Sequence, residues 1–344
     1  MTTYFLRRFL LIIPTFFGIT LITFMILQFV PGGPLEMEIM KIRMGGKSGS
    51  TESGSTTGGT TQNIPQSAID ELKKFYGFDK PLHERYLIWI GNLLKFDLGR
   101  SYVYAEPVWD VIKSRFPVSI YFGLIGFLLT YLVCVPLGVY KAVKNGSAFD
   151  FLTSALVFIG YSIPGFAFGA LMIVLFGGGS FWDVFPLGGF RSEDWESLSA
   201  WGKVTDQVYH TILPVASYMI GSFATLTILT KNSVIENLSQ DYVRTAYSKG
   251  LSEKRVIFGH ALRNSLIPIA TGLGHAVSLV LAGSLLIERV FNINGIGLLG
   301  YESIVQRDYP VTMGILVISS LLLLLGNIIS DMIYAFVDPR IRFK

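Results

Sequence analysis

Few side chains in this sequence are placed to act as nucleophiles, general bases or metal ligands. The single cysteine, Cys134, lies inside an apolar run. No disulfide and no thiolate metal cluster can therefore form within the chain. Two of the four histidines, His210 and His275, fall in or beside apolar stretches. An intramembrane protease or lipid transferase would need paired Ser/His or paired Asp there, and no apolar stretch holds an acid. The fragment Gly46-Lys47-Ser48 looks like the end of a phosphate-binding loop. That loop needs a Gly five residues before its second Gly, and this chain has Lys41 at that place. In a run so rich in Gly and Ser the fragment is a chance match. Glu288 and Arg289 stand at one end of an apolar stretch, where charges near membrane depth are candidates for function. Asn327 and Asp331 are four residues apart, a spacing that suits bonds between neighbouring helices.

The elements that would position these residues are membrane spans. The 344 residues are 51% hydrophobic and only 15% charged, against roughly 25% charged in soluble domains, and mean hydropathy is +0.52. Six stretches free of Lys, Arg, Asp and Glu are long enough to cross a bilayer, which takes about 20 residues. They are Phe9–Val30, Val118–Tyr140, Phe151–Phe176, Thr211–Thr230, Ser265–Ile287 and Tyr309–Ser330. In lipid each must be helical to pair its backbone groups. The first, after Arg7 and Arg8, is longer than a signal-peptide core and is followed by no small-residue cleavage site, so it reads as a retained helix. Tyr161-Ser162-Ile163-Pro164-Gly165 reads as a break in the third span, either lining a path or only kinking the helix. His210 reads as an interfacial residue at the start of the fourth. His275, inside the fifth, reads as a packed hydrogen-bonding residue.

Charge sets the expected orientation. Arg7 and Arg8, then Lys141 and Lys144, then Lys231 to Arg263, then Arg340, Arg342 and Lys344 make one side basic. The segment 178–207 has two bases against five acids. Six spans thus put both termini on the basic, cytoplasmic side of the membrane. The chain is expected to divide into an N-terminal span at 1–30, an extracytoplasmic segment at 31–116 with a Gly/Ser/Thr-rich linker at 45–62, and a five-helix core at 117–344. In the second of these, Ile69, Leu72 and Phe75, and then Tyr86, Leu87, Ile90, Leu93 and Leu94, recur at helical spacing. Between the fourth and fifth spans runs a basic loop, 231–264. Its Tyr242–Lys249 part suits a short helix stopped by Gly250, and Ser252 suits the start of another. Periodicity alone leaves a lipid-facing surface loop and a docking helix equally open.

Several pieces occur in a fixed order: Pro31-Gly32-Gly33-Pro34, Tyr76-Gly77-Phe78-Asp79-Lys80-Pro81, His83-Glu84-Arg85-Tyr86 and Phe96-Asp97-Leu98-Gly99. They continue with Pro136-Leu137-Gly138, Lys141-Ala142-Val143, Leu229-Thr230-Lys231-Asn232-Ser233, Gly283-Ser284-Leu285-Leu286-Ile287-Glu288, Asn294-Gly295-Ile296-Gly297-Leu298-Leu299-Gly300 and Val337-Asp338-Pro339-Arg340-Ile341-Arg342. In that order the chain resembles the permease subunits of ABC-type dipeptide and oligopeptide importers, most of all the first permeases of microcin C/oligopeptide (Yej-type) systems.

The resemblance implies an all-α membrane protein of the type I importer fold with an extracytoplasmic insertion after its first helix. It implies uptake of peptides or peptide-like compounds, microcin C among the candidates. It implies no enzyme activity of the chain's own: ATP and Mg would be bound by partner ATPase subunits. The other partners implied are a second permease, a periplasmic peptide-binding protein and the lipid bilayer, with no nucleic acid. The coupling motif Glu-Ala-Ala…Gly of the family falls on Arg244-Thr245-Ala246 and Gly250, flanked by Tyr242 and Tyr247, with Arg244 where the family has Glu. Pro268 comes 18 residues after Gly250 rather than at the usual short distance. A translocation path would draw on Tyr161, Ser162, His275, Ser284 and Glu288. Two other classes compete. A secondary transporter often shows internal repeats, and none is found. An intramembrane enzyme lacks the acids it would need.

Overall fold

A computed structural model describes residues 2–45, 65–75, 77–178, 181–270 and 283–337. The described residues form helices and no strands, only two isolated bridges. The helices are α1 (Thr2–Phe29), α2 (Pro34–Gly45), α3 (Gln66–Phe75), α4 (Leu82–Leu93), α5 (Val108–Val143), α6 (Ala148–Ser162), α7 (Gly165–Phe176), α8 (Ala200–Leu238), α9 (Asp241–Ser248), α10 (Glu253–Val256), α11 (Leu285–Val290), α12 (Ile296–Val305) and α13 (Tyr309–Val337). α3 and α4 fall where the apolar spacing of the second segment placed helices. The linker read at 45–62 lies outside the described residues from 46 onward.

Four helices, α1, α5, α8 and α13, are long and apolar enough to cross a membrane, and α6 with α7 makes a fifth, bent, candidate. The bend is 98°. It falls at Ile163-Pro164, inside the stretch read as a break. Ile163 takes an extended conformation (φ −100°, ψ 120°), as the ring of a following proline demands. Of the Ser265–Ile287 span, residues 265–270 are helical, 271–282, with His275, lie outside the described residues, and Leu285 opens α11.

α8 runs for 39 residues, about 58 Å at 1.5 Å per residue, and so exceeds a hydrocarbon core of about 30 Å. It starts eleven residues before the apolar stretch does. His210 is therefore not at a helix start. It is buried within α8, its ring Nδ1 3.0 Å from the Asp206 carbonyl oxygen. Hydropathy reports where lipid begins, not where helical hydrogen bonding begins. That is why the sequence misplaced this boundary.

The chain forms two compact units, one of Met1–Ile12, Ser114–Leu299 and Ile318–Lys344, the other of Ile13–Lys113 and Gly300–Val317. In the first, α8 is the hub. A Cβ on Gly138 of α5 would lie 2.6 Å from Thr230 Cβ and 2.7 Å from the Thr227 carbonyl oxygen. The two helices thus meet backbone to backbone, as small residues allow in membranes. Phe122, Leu213, Val215, Ile287, Phe291 and Ile293 form its largest buried cluster. In the second unit, Phe24, Leu27, Tyr309 and Met313 pack with Tyr86 and Trp89. There Asp308, 1% exposed, accepts hydrogen bonds from Ser101 Oγ and from the Tyr102 and Val103 amides and closes the 101–104 turn.

Candidate functional site

The loop of greatest interest is α9 together with α10 and the turn after it. Asp241 in the first turn of α9 suits the positive helix end, and Thr245 Oγ1 donates back to the Asp241 carbonyl at 2.9 Å. The helix ends as a Schellman motif. Gly250 has φ +79°. Its amide donates to Tyr247 O at 2.9 Å, and the Leu251 amide reaches Ala246 O at 3.4 Å. A left-handed residue is required there, and glycine takes it without a Cβ penalty.

α9 has two faces of different character. Val243 and Ala246 are buried against Val256 and Ala261, with Leu251 packed alongside. Tyr242, Arg244, Thr245 and Tyr247 are exposed. The candidate set therefore divides. Four of the six point outward, Ala246 is part of the core that holds the helix, and Gly250 is its stop. Ser252 does stand at the N-cap of α10, but its hydroxyl caps no amide. Beyond it, Ile257–Ala261 forms a π-helical turn, a deviation that often marks functional places and that nothing in the periodicity signalled.

Below α9 the packing is continuous. Ile257 joins Val139, Ala142 and Val234 in a second cluster, with Leu238 touching both. Ser233 and Ser265 exchange hydrogen bonds through hydroxyl and carbonyl at 3.0 and 3.2 Å. Next to this cluster lies a buried charge group. Lys231 Nζ is 2.7 Å from Asp150 Oδ2, and Lys141 Nζ is 3.1 Å from Asp150 Oδ1. Lys141 is fully buried and also donates to the Asp150 carbonyl, Thr153 Oγ1 and Ser154 Oγ at 2.7–2.9 Å. All three donors of that ammonium are thus used. Asp150 was missed in the sequence. Its only local signal was a lone acid between a basic flank and an apolar span, and its partners are 9 and 81 residues away.

A cavity of about 710 Å³ opens beside α5, α7 and α8. Its described lining includes Gly126, Thr130, Ser217, Tyr218, Ser222 and Thr225, and no charged residue. Of the path candidates, Ser284 lines it, together with Gly165 after the bend. Tyr161 is exposed elsewhere, and Ser162 Oγ donates to Phe158 O within its own helix.

Glu288 is 1% exposed and is turned into its own loop. Its carboxylate accepts the Ser284 amide at 3.1 Å and the Leu298 amide at 2.7 Å. Ser119 Oγ lies 3.5 Å away and accepts the Ile296 amide. A Cβ on Gly295 would collide with that carboxylate. The Gly283-to-Glu288 and Asn294-to-Gly300 pieces are therefore one device, a turn wound on a buried carboxylate. Asp331, on α13, forms an ion pair with Arg8 of α1, the interhelical role its position suggested.

Long apolar helices around a hub, a broken span and a short helix with one buried and one exposed face suit a multi-pass membrane permease, and no catalytic constellation stands among the described residues. Comparison with known proteins gives the family. Residues 134–343 match the binding-protein-dependent transport system inner membrane component family, and the chain belongs to it. It is 45% identical to the inner membrane ABC transporter permease protein YejB of Escherichia coli O157:H7, covering all of both chains. It is 42% identical to the peptidoglycan transport system permease protein YejB of Agrobacterium fabrum, over 100% of this chain and 99% of the relative. It is 34% identical to the dipeptide transport system permease protein DppB of Escherichia coli K12, again over both full lengths. The chain is a permease subunit of an ABC importer, and ATP hydrolysis belongs to a separate subunit.

Proposed function

We propose that the chain pairs with a second permease to pass peptides or peptide-like compounds delivered by a periplasmic binding protein, and that α9 seats on a cytosolic ATPase. The observation that carries this is the two-faced α9: an exposed Tyr242-Arg244-Thr245-Tyr247 surface on a core that runs without a gap into α5 and α8. A push on that surface moves packed side chains rather than a loose loop. The relatives' names point to peptide cargo. The cavity falls within the roughly 300–1,000 Å³ usual for ligands, and its neutral hydroxyl lining can pair with backbone amides without selecting by charge.

The test is uptake of a labelled tripeptide in cells lacking their own peptide importers. Uptake is expected only when this chain is expressed with a second permease, the ATPase subunits and the binding protein. The purified chain alone is expected to hydrolyse no ATP. Hydrolysis by the single chain, or uptake without the ATPase, would overturn the reading.

The same reading places the basic ends in the cytoplasm. With Cys134 first replaced by Ser, a cysteine at exposed Glu193 should react with an impermeant thiol reagent in intact spheroplasts. One at exposed Ser248 should react only after lysis. Labelling of position 248 in intact spheroplasts reverses the topology.

A further inference from the structure

The second unit contains a cavity that shares no lining residue with the one beside α5, α7 and α8. Its volume is about 880 Å³. Its apolar lining includes Phe24 and Leu27 from the last turns of α1, Trp89 from α4 and Met313 from the first turn and a half of α13. Its charged lining is Lys74, Lys80, Arg85 and Arg100 with Asp79 and Asp97, four positive charges less two negative, a net of +2. The Asp97 carboxylate is engaged by the Gly99 amide at 2.8 Å. Arg100 spends only one of its donors, on Ala105 O at 2.9 Å.

Arg85 is the central group. It is half-buried, with its guanidinium 4.1 Å from the centre of the Phe78 ring. None of the ion pairs among the described residues involves it. Burial lowers its pKa, and nearby Tyr102, Tyr309 and Asp79 offset that only in part. A desolvated cation of this kind is held at a cost unless an anion completes it.

We propose that this cavity binds the phosphate headgroup of an anionic phospholipid. Depth decides the occupant. α1 and α13 are both long enough to span the bilayer, and the cavity lies at the end of one and the start of the other. That is the membrane–water boundary, where Trp and Tyr collect and where a lipid phosphate sits above its acyl chains. The apolar lining takes the glycerol and upper chains. Arg85, with its planar fork, takes the phosphate oxygens, and Lys74, Lys80 and Arg100 supply the field.

The test uses the assembled importer, purified and placed in lipid nanodiscs of phosphatidylcholine alone or with phosphatidylglycerol. Phosphatidylglycerol should raise the melting temperature of the complex and should be retained on it in native mass spectrometry. Arg85→Gln and the exposed Lys80→Gln should each weaken that retention about fivefold, the factor for one cation near a membrane surface. Lys80→Gln guards against a folding defect, because its side chain is exposed. Inorganic phosphate added to phosphatidylcholine discs should give no shift. An equal shift from inorganic phosphate would overturn the lipid assignment. So would unchanged phosphatidylglycerol retention in both variants. Loss of binding-protein affinity in the variants with lipid retention intact would likewise overturn it and assign the cavity to an acidic partner segment.

Discussion

Asp150→Ala should destabilise the permease by about 3–5 kcal/mol, the usual cost of breaking a buried ion pair from one side. The reason is the state it leaves behind. Lys141, fully buried, would keep its hydroxyl partners but lose its counter-charge, and Lys231 would lose the carboxylate it holds at 2.7 Å. Two ammonium groups would then face one another at the junction of α5, α6 and α8. Asp150→Asn should be nearly as costly, because shape is kept and charge is not. The triple variant Lys141→Met, Asp150→Leu, Lys231→Met should recover most of the loss, since an apolar replacement of a whole buried ion cluster is often neutral or better. Thermal unfolding of the purified complex measures all three. An Asp150→Ala protein within about 1 kcal/mol of the parent would show that the cluster is solvated and of the weak, surface kind.

The second large effect separates folding from docking on α9. Ala246→Asp should cost about 3–5 kcal/mol, because its carboxylate would be buried without a partner against Val256 and Ala261. Transport should fail because the loop loses its packing. Tyr247→Ala acts differently. Its ring is 45% exposed, so stability should change by no more than about 0.5 kcal/mol. As an aromatic anchor in an ATPase cleft it should cost about 2 kcal/mol of association, roughly 30-fold in affinity. Uptake and ATPase recovery on this chain should fall together while the melting temperature holds. Ser252→Ala should alter neither, since that hydroxyl caps nothing. A Tyr247→Ala importer that binds its ATPase normally would remove α9 from the docking surface and leave it a folded surface loop.

These predictions rest on features legible to different degrees before folding. Membrane character was written in local composition, because lipid admits only long apolar helices with internally paired backbones. The break at Pro164 and the stop at Gly250 were equally local: a proline restricts its predecessor, and a glycine tolerates positive φ. The order of short pieces along the chain was enough to indicate the family.

What local pattern does not carry is pairing between distant positions. Asp150 and Lys231 are 81 residues apart. Asp308 meets Ser101 across 207 residues. Glu288 pairs with amides on both sides of its own turn. Each acid reads from sequence as a charge near a membrane boundary, equally suited to water, substrate or structure. Only the packed helices settle which one it meets. The same holds for Ala246 and Tyr247, adjacent in α9. A helix turns about 100° per residue, so neighbours face different ways, and the position of Val256 and Ala261 decides which of the two is core. The sequence by itself thus determined the medium, the helical class and the breaks at Pro164 and Gly250, but not the start of α8. The tertiary structure decided which charges are buried together and which face of α9 is left for a partner, because both depend on what lies opposite in space.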